Sequence, residues 1–286
     1  FMNGKIHFLN TGHSDCIVIE SDGHFAMVDA GEDNDFPESK PHLKAKGYED
    51  EIIAYLLKNC TNTNGRVSLD FVLGTHAHSD HIGGFDTIIN HPLVDVKKAY
   101  LKPYDENKVF IMEFKRWDNT EVYMQMLNAL KKNNVEIIED LSNVSFSLGK
   151  LNITLLNGEQ RKRIIKFGEN INSIVTLIES ENTKAVLAGD LNNKSGDERK
   201  LAKLIGKVNL LKVGHHGLFA STSINWIKTL KPEISVIPNF IKNVYPDVLF
   251  KLKKIAKSEI YCTADKNGVI AELYDNGKIE IKTNIM

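Results

Sequence analysis

The ten residues from Thr75 to Gly84, Thr-His-Ala-His-Ser-Asp-His-Ile-Gly-Gly, restrict what this chain can fold into more than any other stretch. Three imidazoles and one carboxylate, His76, His78, Asp80 and His81, fall within six positions. Just upstream, Asp70-Phe-Val-Leu-Gly74 is a short apolar run of the kind that forms a buried strand. On an extended segment His76 and His78 point the same way, because side chains repeat with period two. They can therefore bind one metal together. Asp80 and His81 follow where the chain must turn and can aim at a second point nearby. Gly83-Gly84 then breaks the pattern before a predicted helix from Phe85 to Asn90. Neutral imidazole and carboxylate are ligands that Zn²⁺ prefers and that Mn²⁺ or Fe²⁺ tolerate. The stretch reads as a metal site.

The His-x-His-x-Asp-His run resembles the signature of the metallo-β-lactamase superfamily. That resemblance implies an α/β (α+β) chain folded as a four-layer αββα sandwich, with the run at the end of an inner strand. It also implies a mono- or binuclear site there.

Patterning along the rest of the chain agrees. Lys5 to Asn10 and Cys16 to Glu20 read as strands, and Thr11 to Asp15 as the turn between them. Asp22-Gly23 is a hairpin signal, and His24 to Asp29 returns as a third strand. Glu32 to Gly47, punctuated by Pro37 and Pro41, reads as a loop, and Tyr48 to Cys60 as an amphipathic helix. A helix over Glu121 to Asn133, with Met124, Leu127 and Leu130 on one face, is predicted; Lys108 to Trp117 is ambiguous. A second hairpin spans Ser173 to Gly189 and ends in Asp190, much as the first ends in Asp29. The similarity fits two β-halves packed face to face. Helices over Gly196 to Gly206 (apolar at Leu201, Leu204 and Ile205), Ser223 to Leu230 and Pro246 to Lys257 alternate with strands over Val208 to Val213 and Glu233 to Ile237. No linker or low-complexity stretch interrupts residues 1–286, which read as one domain.

Composition narrows the classes. A net charge of −1 argues against a surface wholly adapted to nucleic acid, though not against a local basic patch. Cys16, Cys60 and Cys262 show no Cys-x-x-Cys spacing and read as small buried hydrophobes in a reducing compartment. No apolar run reaches the roughly 18 residues of a membrane span, and no signal peptide is visible. The expectation is a cytoplasmic protein as the sequence stands. Phe1 precedes the first Met, so a secreted protein whose signal lies upstream is the alternative.

Two further clusters sit after apolar strands: Asp190 after Ala185-Val-Leu-Ala-Gly189, and His215-His216 after Leu210-Leu-Lys-Val213. The superfamily resemblance implies that Asp190 bridges two metals and that one histidine of the pair binds the second. His76, His78 and Asp190 would then hold the first ion, and Asp80, His81, Asp190 and His216 the second. Between His81 and Asp190 the sole histidine is His91, too near in sequence to come from another strand, so the third first-site histidine of many relatives is missing. By the same resemblance Asp29 lies behind the metal, where a buried carboxylate takes the second nitrogen of a bound imidazole.

Two closer resemblances coexist. Lys5 to Asn10, Asn170 to Ile174, Ala188-Gly-Asp190, Leu211 to Gly217 and Tyr261 to Gly268 are similar to the metallo-β-lactamase domain of ComEC-type competence proteins. Gly23 to Asp33, Asp35-Phe-Pro37 and Leu204 to Leu210 are similar to the catalytic module of teichoic-acid phosphorylcholine esterases. Set against that module, His216 falls at the metal-binding position, and His215 is left for substrate. Both resemblances imply phosphodiester cleavage: a binuclear zinc enzyme in which a metal-bridging hydroxide attacks phosphorus, Asp80 and His215 act at the catalytic centre, and Asn172 and His215 contact a small-molecule or polymer-linked phosphodiester. A choline headgroup calls for an aromatic cage: Trp is scarce, with Trp117 and Trp226 alone, and Phe167, Phe240 and Tyr245 lie near the expected active-site loops. The basic run Arg161-Lys-Arg163 with Lys166 could instead flank DNA. The alternatives are a ComEC-like nuclease and a metal-stabilised binding module without catalysis.

Overall fold

In the computed structural model, which describes residues 1–159, 168–194 and 196–286, the apolar runs pair into two sheets. The first opens with β1 (Met2–Phe8), β2 (Cys16–Ser21) and β3 (His24–Ala30), paired antiparallel. Asp22 and Gly23 both take positive φ between β2 and β3, as the twist of a tight hairpin requires. Strands β4 (Val67–Gly74), β5 (Val94–Val96), β6 (Lys98–Leu101) and β7 (Glu136–Ile138) add in parallel. The second sheet repeats this plan. Its antiparallel part is β8 (Ser145–Leu148), β9 (Leu151–Leu156), β10 (Val175–Glu179) and β11 (Lys184–Leu187). Its parallel part adds β12 (Leu210–Lys212), β13 (Ile234–Ile237) and β14 (Glu259–Cys262). Finally β15 (Val269–Tyr274) and β16 (Ile279–Thr283) return to the first sheet, where β15 lies beside β1.

The helices in chain order are α1 (Glu49–Asn59), α2 (Ser79–Ile82), α3 (Phe85–Asn90), α4 (Ile111–Arg116), α5 (Asn119–Lys132), α6 (Asp197–Ile205), α7 (Ile224–Leu230) and α8 (Pro246–Phe250). Three apolar clusters separate the resulting four layers. Ile52 and Leu56 of α1, Phe85 and Ile88 of α3, and Met126 and Leu130 of α5 pack on the outer face of the first sheet. Ile6, Phe8, Ile17 and Ile19 meet Leu151, Ile153 and Leu155 between the sheets. Trp226, Ile227 and Leu230 of α7 cover the second sheet with Ala202 and Ile205 of α6. Each such side chain contributes about 1.5–3 kcal/mol by leaving water, so the layering is held mainly by these three clusters. The αββα arrangement expected from the sequence is the one observed.

Local departures have local causes. In α5 the buried face is Asn119, Val122, Tyr123, Met126 and Leu130, while Met124 is exposed. The stripe steps by three and four from the true helix start, which the predicted start at Glu121 missed. Leu204 of α6 likewise faces outward, and Ala202 and Ile205 face in. The ambiguous stretch from Lys108 to Trp117 contains the short α4, and the helix predicted over Pro246 to Lys257 passes from α8 into a π-helical turn over Lys251–Ala256. All three cysteines are buried and free. Among the described residues no helix is long and apolar enough to cross a membrane.

Candidate metal centre

The strands converge at one open end of the sandwich. There β3 ends in Asp29, which is fully buried and takes a positive φ. Its Oδ1 accepts from the backbone N–H of Thr75 at 2.8 Å and its Oδ2 from Thr75 Oγ1 at 2.8 Å, so the exit from β4 is fixed. The next residues then deliver imidazoles. His76 Nε2 and His78 Nδ1 lie 3.1 Å apart. Asp80 and His81 sit on α2, whose single turn brings them back over the strand end. His81 Nδ1–H donates to Asp29 Oδ2 at 2.7 Å, which turns Nε2 inward.

The second sheet completes the group. Asp190 follows β11 with its backbone N–H given to Ser173 Oγ at 3.0 Å. Its Oδ1 is 3.1 Å from His81 Nε2, and its Oδ2 is 3.3 Å from His216 Nε2. His216 Nε2 is also 3.2 Å from Asp80 Oδ2 and 3.2 Å from His81 Nε2. Of the adjacent pair, His216 faces the cluster. His215 stands at its edge, with Nε2 3.9 Å from Asp190 Oδ2 and Nδ1–H donated to the Phe219 carbonyl at 3.1 Å.

Asp15, read from sequence as a turn residue, joins them. One ligand atom each from Asp15, His81, Asp190 and His216 lies within 4.8 Å of all the others, and all four residues are buried. Asp15 Oδ1 is 3.2 Å from His216 Nδ1, yet these two atoms and Asp190 Oδ1 make no hydrogen bond among the described residues. Donor atoms crowded together and not aimed at one another are what a ligand set around a cation requires. The set also has the nitrogen and oxygen chemistry of a divalent transition-metal site.

Charge supports that fit. Burial favours the neutral form of His76, neighbouring His81 and His78 push the same way, and its pKa lies well below the ordinary value. A neutral imidazole is the ligating form. Burial also works against charge on His81 and His216, but Asp190 and its neighbouring carboxylates outweigh it and hold both pKa values well above normal. Those carboxylates call for positive charge at this point, which a dication supplies without protonating the rings. Burial opposes the ionised form of Asp190 as well, but His216 and His81 hold its carboxyl well below the usual range.

Two buried groups beyond Asp15 went unread in the sequence. Lys212 lies on β12 without solvent exposure; it donates to the Gly189 carbonyl at 2.8 Å and pairs with the Asp15 carboxylate. A lysine inside Leu210-Leu-Lys-Val213 was the available signal, since a buried ammonium needs a buried carboxylate. Glu113 on α4 accepts from His78 Nε2 at 2.9 Å, from the Glu169 N–H at 2.8 Å and from Asn119 Nδ2 at 3.2 Å. It does for His78 what Asp29 does for His81. Glu113→Ala is expected to weaken divalent-metal binding about 10–100-fold in competition with a chromogenic chelator. Unaltered affinity would show that His78 needs no acceptor.

A cavity of about 590 Å³ opens over the cluster, with His78, Asp80, Asp190, His215 and His216 in its floor. Asn172, predicted to contact substrate, instead lines a water-sized space behind His76, where its amide donates to Glu169 Oε1 at 3.1 Å. Asn170 lines the open cavity. Trp117 and Tyr245 line it too, whereas Phe240 does not, and Trp226 is buried in the core. Arg161, Lys162, Arg163, Lys166 and Phe167 lie outside the described residues.

A four-layer sandwich that gathers histidines and aspartates at its open end has the build of a metal-dependent hydrolase. Residues 9–103 match the model of the metallo-beta-lactamase superfamily. It is similar to Recombination protein 2 of Haemophilus influenzae, 24% identical over 189 residues that cover 65% of this chain and 19% of that one. It is also similar to ComE operon protein 3 of Bacillus subtilis, 25% identical over 283 residues that cover 90% of this chain and 34% of that one. The chain therefore spans about a fifth and a third of these two relatives. Among solved structures, the metallo-beta-lactamase fold protein YhfI of Bacillus subtilis matches with a TM-score of 0.58 at 12% identity, over 94% of this chain and 100% of that one. At that identity the likeness is one of fold.

Proposed function

We propose that this chain is a binuclear zinc phosphodiesterase whose substrate carries a cationic alcohol, as a phosphorylcholine ester does. The wall of the cavity supports this reading. Glu32 and Asp118 bring carboxyl groups to it, and Trp117, Phe219 and Tyr245 bring aromatic rings. Carboxylates beside ring faces suit a quaternary ammonium group. A polyanionic strand needs the opposite, a groove lined with cations, and among the described lining residues Lys194 is the sole lysine or arginine. Burial, then Asp80 and Asp33, push the Glu32 carboxyl up to about 9, a penalty that a bound cation relieves.

In this reading His76, His78 and Asp190 would hold one ion and Asp80, His81, Asp190 and His216 the other, with Asp15 behind the His216 ring at its Nδ1. When bound, the two cations neutralise phosphate charge and supply a nucleophilic water at neutral pH. The chain's own groups orient that centre: Asp29 fixes His81, and Glu113 fixes His78. With Nδ1–H committed to Phe219, His215 faces the cavity through Nε2 and exchanges a proton with the leaving oxygen. Asn170 takes the substrate contact expected of Asn172.

A nuclease is the second reading, favoured by the sequence relation to a recombination protein and a ComE operon protein. Parallel assays of p-nitrophenyl phosphorylcholine, bis-p-nitrophenyl phosphate and short single-stranded DNA separate the two, run with elemental analysis. The choline ester is expected to exceed the bis-ester about tenfold or more in kcat/KM, with little dependence on salt. DNA cleavage with binding that falls steeply with salt would replace this reading by the second.

A further inference from the structure

The loop that carries His215 and His216 has an uncommon backbone. His215, His216, Ala220 and Thr222 have φ of 51°, 49°, 69° and 57°, and Gly217 between them has 74°. Threonine is the costliest of these, because a β-branched side chain crowds the backbone in the left-handed region. Such a conformation persists where its surroundings over-determine it.

The surroundings that do so are identifiable. Glu198, in the first turn of α6, is almost fully buried. Its Oε1 accepts from the Thr222 N–H at 2.6 Å and its Oε2 from the Ser223 N–H at 2.8 Å. Lys251 Nζ donates to the Thr222 carbonyl at 2.9 Å. Both backbone groups of the most strained residue are therefore gripped by side chains from other elements. Ser221 Oγ donates to the Gly214 carbonyl at 2.9 Å, which ties the far end of the loop to its start. Asn239 Nδ2 donates to the His216 carbonyl at 3.0 Å. A glutamate early in a helix is ordinarily solvated. Burying one is costly unless both oxygens are used, as they are here.

We infer that Glu198 is a positioning residue: by holding the Thr222 and Ser223 amides it keeps the 214–223 loop in the left-handed form that aims His216 at Asp190 and His215 into the cavity. The inference rests on the reading of His216 as a metal ligand. A carboxylate suits the task because two adjacent N–H groups meet two acceptors. Glutamine would turn an amide NH₂ against one of them.

The test uses the full chain with Glu198→Ala, Glu198→Gln and Thr222→Gly, read by zinc stoichiometry and by amide hydrogen exchange of the metal-free protein. Glu198→Ala is expected to bind its second zinc about tenfold or more weakly, with Glu198→Gln between it and the wild type. The Leu218 and Tyr245 amides, bonded to His215 and Gly217, should exchange about tenfold faster, and that of Val213 in the sheet should not change. Glycine accepts a positive φ freely, so in Thr222→Gly the effect of Glu198→Gln on both readouts should shrink, a coupling that simple loss of packing would not produce. Wild-type zinc affinity and wild-type exchange in Glu198→Ala would overturn the inference. Additive effects in the double variant would do the same. A wild-type chain that holds fewer than two zinc ions would count against the binuclear reading, and the exchange measurements would then decide on the grip alone.

Discussion

Asp190→Ala is expected to lose zinc from both proposed positions and to lower kcat toward any phosphodiester by about a thousandfold or more. The carboxylate sits where the two halves of the molecule meet, 3.1 Å from His81 on the first sheet's side and 3.3 Å from His216 on the second's. Nothing nearby can replace it. Asp80 reaches His216 but is held on α2, and Asp15 is committed to Lys212. On the proposed phosphodiesterase reading, the bound cations would supply Lewis-acid stabilisation worth several kcal/mol, which sets the size of the expected loss. Asp190→Asn keeps the shape and one acceptor oxygen without the charge, so it should retain part of the metal and little of the rate. Elemental analysis with the assay on p-nitrophenyl phosphorylcholine reads both. If Asp190→Ala kept two zinc ions and a tenth of the activity, the residue would not lie between the metals.

How much of this centre could be read from the sequence follows from how local each signal is. His76, His78, Asp80 and His81 share one strand exit, so spacing alone groups them. Asp29 and Asp190 end apolar runs in two similar hairpins, and the His215–His216 pair follows another, with the choice of His216 implied by resemblance alone. Asp15 ends no such run: it lies in a turn before β2, and its approach to His216 exists once two sheets have packed. Glu113 belongs to a helix too short to show a period, in a stretch where sequence gave no expectation. Glu198 looks like an ordinary solvated first-turn acid until the 214–223 loop folds over it. The layers themselves were legible because strand alternation and helix periodicity are properties of short windows, while partnerships across sheets are not.

Lys212→Met is expected to destabilise the metal-free protein by about 3–5 kcal/mol, the range for removing one partner of a buried ion pair. Methionine nearly matches the lysine in length, so packing on β12 should survive and the loss should be electrostatic. In the wild type, burial raises the Asp15 carboxyl, but Lys212, then His216 and His81, outweigh it and leave the pKa below its ordinary value. Asp15 therefore adds stability above its unfolded pKa, and that contribution is lost as pH falls through the lowered folded value. Without the ammonium the balance shifts toward burial and the carboxyl rises. The gap between variant and wild type should then narrow as acid neutralises Asp15. Zinc should narrow it too, because cations beside Asp190 and His216 compensate the same carboxylate, and binding stabilises the folded state by linkage. Thermal melts of both proteins, with chelator and with excess zinc, test this directly. A stability loss that stayed the same with and without zinc would make Lys212 a strap between Gly189 and β12, and not the counter-charge of the metal centre.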